Sequence, residues 1–372
     1  MQKTGIIAII IFMLFQLDFF SQNFSYPNVV AKTVSFSGDL VIKKDDYYNS
    51  KTNYVAPQWT STNTIQSPVA YVSGVAPTVS ATFMISCANV PTSVMIKGTS
   101  SDTTIFAPKA ATISGSTFTY PTTTGSKVFK AGLIRYFKSY VINWEFSFDG
   151  GITWKGSIPT SNTLYVTKAT PYTVGGVTCN YETVFYLSCK NANLQTLDTA
   201  IISHAWSEFT DQILLNCKGD SLHYYKNWSC PNVTLATMLC YRDGECYTFA
   251  YLFLAMLKVQ GIALTNNYVY VDSNYSTFLV KNYTFSNLVS ANTYSSKTDL
   301  IGVGGMCKKD PPSNFNNHGI AKINGVYYDP SYGVIYGKSI NDMKSALDAF
   351  SSNNKYYTNL TVGTLKEQIS TY

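Results

Sequence analysis

Apolar and polar positions alternate over short stretches from about residue 30 to 168, clearest at 34–42, 79–85, 94–97 and 141–148. Clusters of Gly, Pro, Ser and Asn separate these stretches. Successive side chains of a strand point to opposite faces, so a period of two marks strands with one buried face. Strands this short, broken by turn residues, predict two packed sheets. No long helical period interrupts them.

Past a Thr/Pro segment at 166–172 the pattern changes. Between 197 and 214 the apolar residues Ile201, Ile202, Ala205, Trp206, Phe209 and Ile213 fall at helical spacing. Residues 246–260 are apolar nearly all round, which predicts a buried helix, and Gly261 stands where a C-terminal glycine cap belongs. A strand at 268–271 and a hairpin at Asn324-Gly325 follow. An amphipathic helix over 339–350 (Ile340, Met343, Leu347, Phe350) closes the pattern. The chain therefore divides into a leader (1–21), an all-β, immunoglobulin-like sandwich (22–168) and an α+β domain (169–372).

Residues 147–154, Ser-Phe-Asp-Gly-Gly-Ile-Thr-Trp, fit the Asp-box pattern of sialidase propellers. A propeller repeats that motif across blades, and there is no second copy here. The stretch reads as a hairpin in which Asp149 and the glycines turn the chain while Trp144, Phe146 and Phe148 alternate onto one face.

Composition adds the compartment. Lys3 precedes an apolar run over 5–15, and Ser21 follows as a small residue suited to cleavage. Gln16 and Asp18 break the run before the roughly 20 apolar residues a membrane span needs, so export with release is expected, the mature chain beginning near residue 22. The net charge is +6, but the lysines and arginines are scattered, which gives no basic stripe for nucleic acid. Seven of the eight cysteines lie between Cys179 and Cys307. In an oxidising compartment most should pair. With Cys246 reserved as a thiol and Cys87 as an unpaired one in an apolar stretch, the other six are expected to form disulfides of undetermined connectivity. There is no Cys-x-x-Cys and only three histidines, so neither a metal nor another cofactor is expected.

Candidate chemistry begins at Gly244-Glu245-Cys246. A cysteine at a helix N-terminus meets free N–H groups and the positive end of the macrodipole, which favour its thiolate and could hold an acyl oxyanion. The second piece runs from His318 through Asn324-Gly325 to Asp329. Asn-Gly favours a two-residue type I′ turn. That register sets Ile323 opposite Val326 and Ile320 opposite Asp329, so His318 and Asp329 share a face as diagonal neighbours within reach of a hydrogen bond. A carboxylate there would orient the imidazole and leave its other nitrogen to serve a thiol. His204 and His223 read as structural or solvated residues.

Gly244-x-Cys246 with Phe249-Ala250, Leu257 and Gly261-Ile262, then a histidine strand and a Tyr-Asp-Pro strand, resemble the transglutaminase-like superfamily over roughly residues 190–350. The resemblance implies a papain-like fold with Cys246 as nucleophile, His318 as base and acid, and Asp329 as orienter. It implies an extracellular amide substrate (a peptide, a protein or a cell-wall-type bond), cleaved or transferred to an amine. It also implies an upstream side chain in the oxyanion hole, for which Trp228 is a candidate by position. A second reading stays open, in which the triad residues stand on a catalytically silent binding or adhesion module.

Overall fold

The computed structural model describes residues 27–173, 179–225, 234–273, 304–308, 317–338 and 365–371, and the strands that lie within 277–301 and 347–359. The leader and Trp228 fall outside the described residues. The fold is rich in β-structure and carries several sheets.

Ten strands occupy the first half: β1 (Asn28–Ser37), β2 (Trp59–Thr60), β3 (Val69–Val72), β4 (Thr78–Ser86), β5 (Ser93–Ser100), β6 (Ile105–Thr112), β7 (Thr117–Thr124), β8 (Arg135–Ser147), β9 (Lys155–Gly156) and β10 (Thr160–Thr167). One sheet has the order β2-β1-β4-β7 and the other β3-β10-β8-β5-β6, with β9 added to β8. Every second residue of β4 is buried, as alternation requires. The inner faces meet through aromatic rings: Phe83 of β4 lies edge-on to Trp144 and Phe146 of β8 at centroid distances of 5.3 and 4.9 Å. Buried Trp144 satisfies its indole N–H on Thr160 Oγ1 at 3.0 Å. Beyond β8 the Asp149 carboxylate accepts from the Ser147 hydroxyl and from the amides of Ile152 and Thr153. These bonds hold its pKa well below the usual carboxylate range, and they make Asp149 the turn residue its sequence context predicts.

Among the described residues the second half has four helices: α1 being the short Tyr47–Ser50 turn of the first half, they are α2 (Glu182–Asn191), α3 (Asp198–Ser207), α4 (Leu235–Tyr241) and α5 (Cys246–Lys258). A two-residue ribbon pairs β11 (His223–Tyr224) with β12 (Asp243–Gly244) in parallel. An antiparallel sheet contains β13 (Tyr268–Ser273), β14 (Asn317–Ile323), β15 (Val326–Asp329), β16 (Val334–Gly337) and β17 (Leu365–Ser370), in the order β16-β15-β14-β13-β17. Helix α5 is buried on nearly every face and packs across β14, as an all-round apolar helix must.

Two expected helices differ in the structure. The run over 197–214 is helical only to Ser207. There the Ser207 hydroxyl bonds back to the His204 carbonyl and Thr210 to Ser207, the local competition that hydroxyl residues offer a helix. Ile213, counted among the apolar residues at helical spacing, lies past the helix and is 59% exposed. The closing helix over 339–350 is overturned where it can be seen, because Leu347–Ser352 is a strand. It pairs with Lys355–Asn359, whose Tyr356, Tyr357 and Thr358 are strong strand formers. Residues 339–346 lie outside the described residues. The expected disulfides are not formed by four of the described cysteines: Cys189, Cys217, Cys240 and Cys307 carry thiols, each engaged by its own neighbours.

The two halves are joined by more than the linker. After β1 the chain crosses onto α2, where Lys43 N–H donates to Asn180 O at 2.7 Å and Glu182 N–H donates to Lys43 O at 3.0 Å. Ile42, Ala70, Ile134 and Tyr165 belong to the core built around α2 and α5. At the far end of α5, Gly261 has φ +78, and a Cβ there would stand 2.7 Å from Ala169 Cβ and 2.8 Å from Thr170 O. The left-handed backbone and this close approach both exclude a side chain. Gly261→Ala should therefore lower the unfolding free energy by about 1–3 kcal/mol in urea titration, and an unchanged midpoint would contradict the packing.

Candidate active site

Cys246 is the first residue of α5 and is 2% exposed. Glu245 precedes it in extended conformation, and the helix ladder opens with Thr248 and Phe249 donating to the Glu245 carbonyl. The amides of Cys246 and Tyr247 stand ahead of that ladder, at the positive end of the helix.

The hairpin has the predicted register, with Ile323 opposite Val326 and Ala321 opposite Tyr328. Asn324 and Gly325 take φ values of 52° and 79°, the geometry of a type I′ turn. His318 and Asp329 consequently meet: Nε2 lies 2.7 Å from Asp329 Oδ2, with both side chains buried. The carboxylate is held from two further directions. The Tyr336 hydroxyl donates to Oδ2 at 2.8 Å and the Ser331 amide to Oδ1 at 3.1 Å. With Nε2 committed to Asp329, Nδ1 is the nitrogen left to serve a thiol.

Strand β14 can approach the start of α5 because the residue after His318 is Gly319. A Cβ at that position would lie 2.9 Å from the Tyr247 ring and 2.8 Å from the Tyr268 hydroxyl. Cys246 lies close enough to the His318 ring to help raise its pKa. Burial alone would depress the imidazole. The charge and hydrogen bond of Asp329, then those of Cys246, outweigh burial and lift His318 from 6.5 to about 10. The structure thus brings together all three residues singled out in the sequence.

The other candidates go elsewhere. His204 is exposed on α3, and His223 has Nδ1 3.0 Å from the Cys307 carbonyl. Tyr336 escaped the sequence reading because it comes from the next strand, and no spacing rule links it to Asp329. Tyr224, on the ribbon strand beside Gly244, is fully buried; burial first and Cys246 next push its phenol far up. One group among the described residues has metal-ligand character: Asp45, Glu182 and Cys217 place their donor atoms within 4.8 Å of one another at the junction of the halves. Burial raises the pKa of all three. They are tied by hydrogen bonds from Thr183 and Cys217 to Asp45 and from Tyr54 to Glu182.

No family model matches the chain, and no curated protein matches it either. No described helix is long and apolar enough to cross a membrane.

The raised pKa of His318 carries a pH signature. A group whose folded pKa exceeds its unfolded value adds stability that is fully present below the unfolded value and is lost as pH rises through the folded one. The window for His318 runs from 6.5 to about 10. Urea unfolding should show Asp329→Asn destabilised relative to the parent by more at pH 6.5 than at higher pH, the gap narrowing as pH approaches about 10. A gap independent of pH across that window would contradict the ion pair.

Proposed function

We propose that this protein is an exported cysteine hydrolase or acyltransferase of transglutaminase-like type, acting on an amide bond of an extracellular peptide, protein or cell-wall polymer. One observation carries the reading: a buried His318–Asp329 hydrogen bond of 2.7 Å whose imidazole also interacts with a cysteine opening a buried helix. This combination of nucleophile, base and orienting carboxylate is what acyl transfer through a thioester requires.

In this scheme the thiol proton of Cys246 already resides on His318 Nδ1, in keeping with the raised pKa of the imidazole, and Sγ attacks the amide carbonyl carbon as a thiolate. The carbonyl oxygen becomes an oxyanion facing the Cys246 and Tyr247 amides. As the C–N bond breaks, His318 returns the proton to the leaving amine, and a thioester remains on Cys246. Water then attacks the thioester carbon, gives its proton to His318, and releases the acid and the thiol. An amine in place of water would complete a transfer. Asp329, fixed by Tyr336 and the Ser331 amide, keeps Nε2–H toward itself and stabilises the imidazolium in both halves of the cycle.

The sandwich supports the reading by position. Its crossing segment packs α1 on α4, the helix that leads through β12 into Cys246, so the first half braces the approach to the nucleophile. We assign the sandwich an immunoglobulin-like organisation and a scaffold role.

The test is release of amine from a panel of peptide amides, including cross-bridged muropeptides. Cys246→Ala should abolish release, and His318→Ala should lower kcat by about 10²–10⁴-fold, the usual worth of a positioned acid–base group. A folded protein with no turnover, whose Cys246 is also inert to thiol reagents, would instead make it a binding module.

A further inference from the structure

The residue after the candidate nucleophile touches the residues on both sides of the candidate base. Tyr247 follows Cys246 on α5, and its hydroxyl donates to Asn317 Oδ1 at 2.9 Å. Asn317 opens β14 and immediately precedes His318. On the other side of His318, Gly319 lies against the same tyrosine. A Cβ built at Gly319 would stand 2.9 Å from the Tyr247 ring and 3.0 Å from its Cα. One side chain thus holds the strand just before and just after the imidazole. In the scheme above Tyr247 contributes only its backbone amide, so this side chain has no part in the chemistry itself.

The strand needs a restraint at this point. Pairing of β14 with β15 covers Ala321 to Ile323 and stops short of His318. Among the described residues, the ladder over Asn317–Ile320 is to β13 alone, with Asp272 opposite Asn317 and Val271 opposite His318. The bond from His318 to Asp329 ties the imidazole to β15 and not to α5. The separation of Cys246 Sγ from His318 Nδ1 is a distance between a helix and a strand, and Asp329 cannot set it. The bond from Tyr247 to Asn317 joins those two elements one residue away from each reacting group. Reactivity is steep in such distances, since a misplacement of about 1 Å can cost about 10²-fold.

We infer that the Tyr247 side chain is a positioning residue for the thiol–imidazole pair, its hydroxyl bond to Asn317 fixing the helix that carries Cys246 against the strand that carries His318. This role rests on Cys246 being the nucleophile, as proposed above, and requires no contact with substrate. The donor is a constant one. Burial first, then Cys246 and Glu245, push the Tyr247 phenol far up, so it keeps its proton over the whole working range. Tyr224 on β11, Tyr251 on α5 and Tyr268 on β13 also feel the charge of Cys246, and burial raises the pKa of each. With these phenols protonated throughout, His318 is the group that a pH profile of Cys246 reports.

Iodoacetamide alkylation of the native protein, mapped thiol by thiol, separates this role from general packing. Tyr247→Phe keeps the ring against Gly319 and the backbone amide in place, and removes only the bond to Asn317. Asn317→Leu removes the acceptor at similar size. At mildly acidic pH the Cys246 thiolate depends on a nearby imidazole, whereas above the free-thiol value of about 8.5 it does not. The ratio of the acidic to the alkaline rate at Cys246 should therefore fall about tenfold in each variant, while Cys87 keeps its ratio. The double variant should lose no more than either single one, because both changes remove the same bond. A merely structural role would lower the urea midpoint and leave the ratio where it is. An unchanged ratio in Tyr247→Phe, or losses that multiply in the double variant, would overturn the inference and leave the nucleophile reading standing. A parent ratio at Cys246 no higher than at Cys87, or one indifferent to His318→Ala, would overturn both.

Discussion

A carboxylate and an imidazole enclosed together in the protein interior constrain everything around them. Asp329 is 0% exposed and His318 2%. Charges so far from water persist only with good geometry and with their remaining lone pairs satisfied, and removing one partner of such a pair costs about 3–5 kcal/mol. The requirement propagates outward. The Asn324-Gly325 turn must keep its register, because a slip of one residue would turn the pair onto opposite faces. The turn after β15 must aim the Ser331 amide back at Oδ1, and β16 must bring Tyr336 to Oδ2. Gly319 must stay without a side chain so that the hairpin can lie against α5.

A comparable constraint acts at the junction of the halves with the opposite chemistry. Asp45, Glu182 and Cys217 gather acidic groups in one place, and burial raises the pKa of each. Hydrogen bonds through Thr183 and Tyr54 then join the sandwich's crossing segment to α2. The hairpin holds a proton on His318 to make an ion pair, while burial at the junction works against the charge of its acids. Because the second arrangement also sets α1 against α4, the sandwich and the site are mechanically continuous.

Much of this was legible in the sequence wherever local rules act alone. Alternation located β4, β5 and β8, all-round apolarity located α5, and Asn-Gly set the hairpin that brings His318 to Asp329. Legibility failed where tertiary partners decided. Leu347 and Phe350 fit a helical period, but a strand rich in Tyr and Thr recruits them into a sheet. Helix α2, with aromatic and β-branched residues in its first turns, gave no clean period, and it is held by the core between β10 and α5. Cysteine counting implied disulfides, whereas Cys189, Cys217, Cys240 and Cys307 each find separate partners. Tyr336 reaches Asp329 from the next strand, which no motif encodes.

The central claim is that Cys246 and His318 work as a pair. Iodoacetamide alkylation of the native protein, mapped thiol by thiol, addresses it directly. The account predicts that Cys246 reacts before Cys87 at mildly acidic pH, and that His318→Ala slows Cys246 by about tenfold or more while leaving Cys87 unchanged. Equal rates at the two thiols, or a Cys246 rate indifferent to His318, would contradict it.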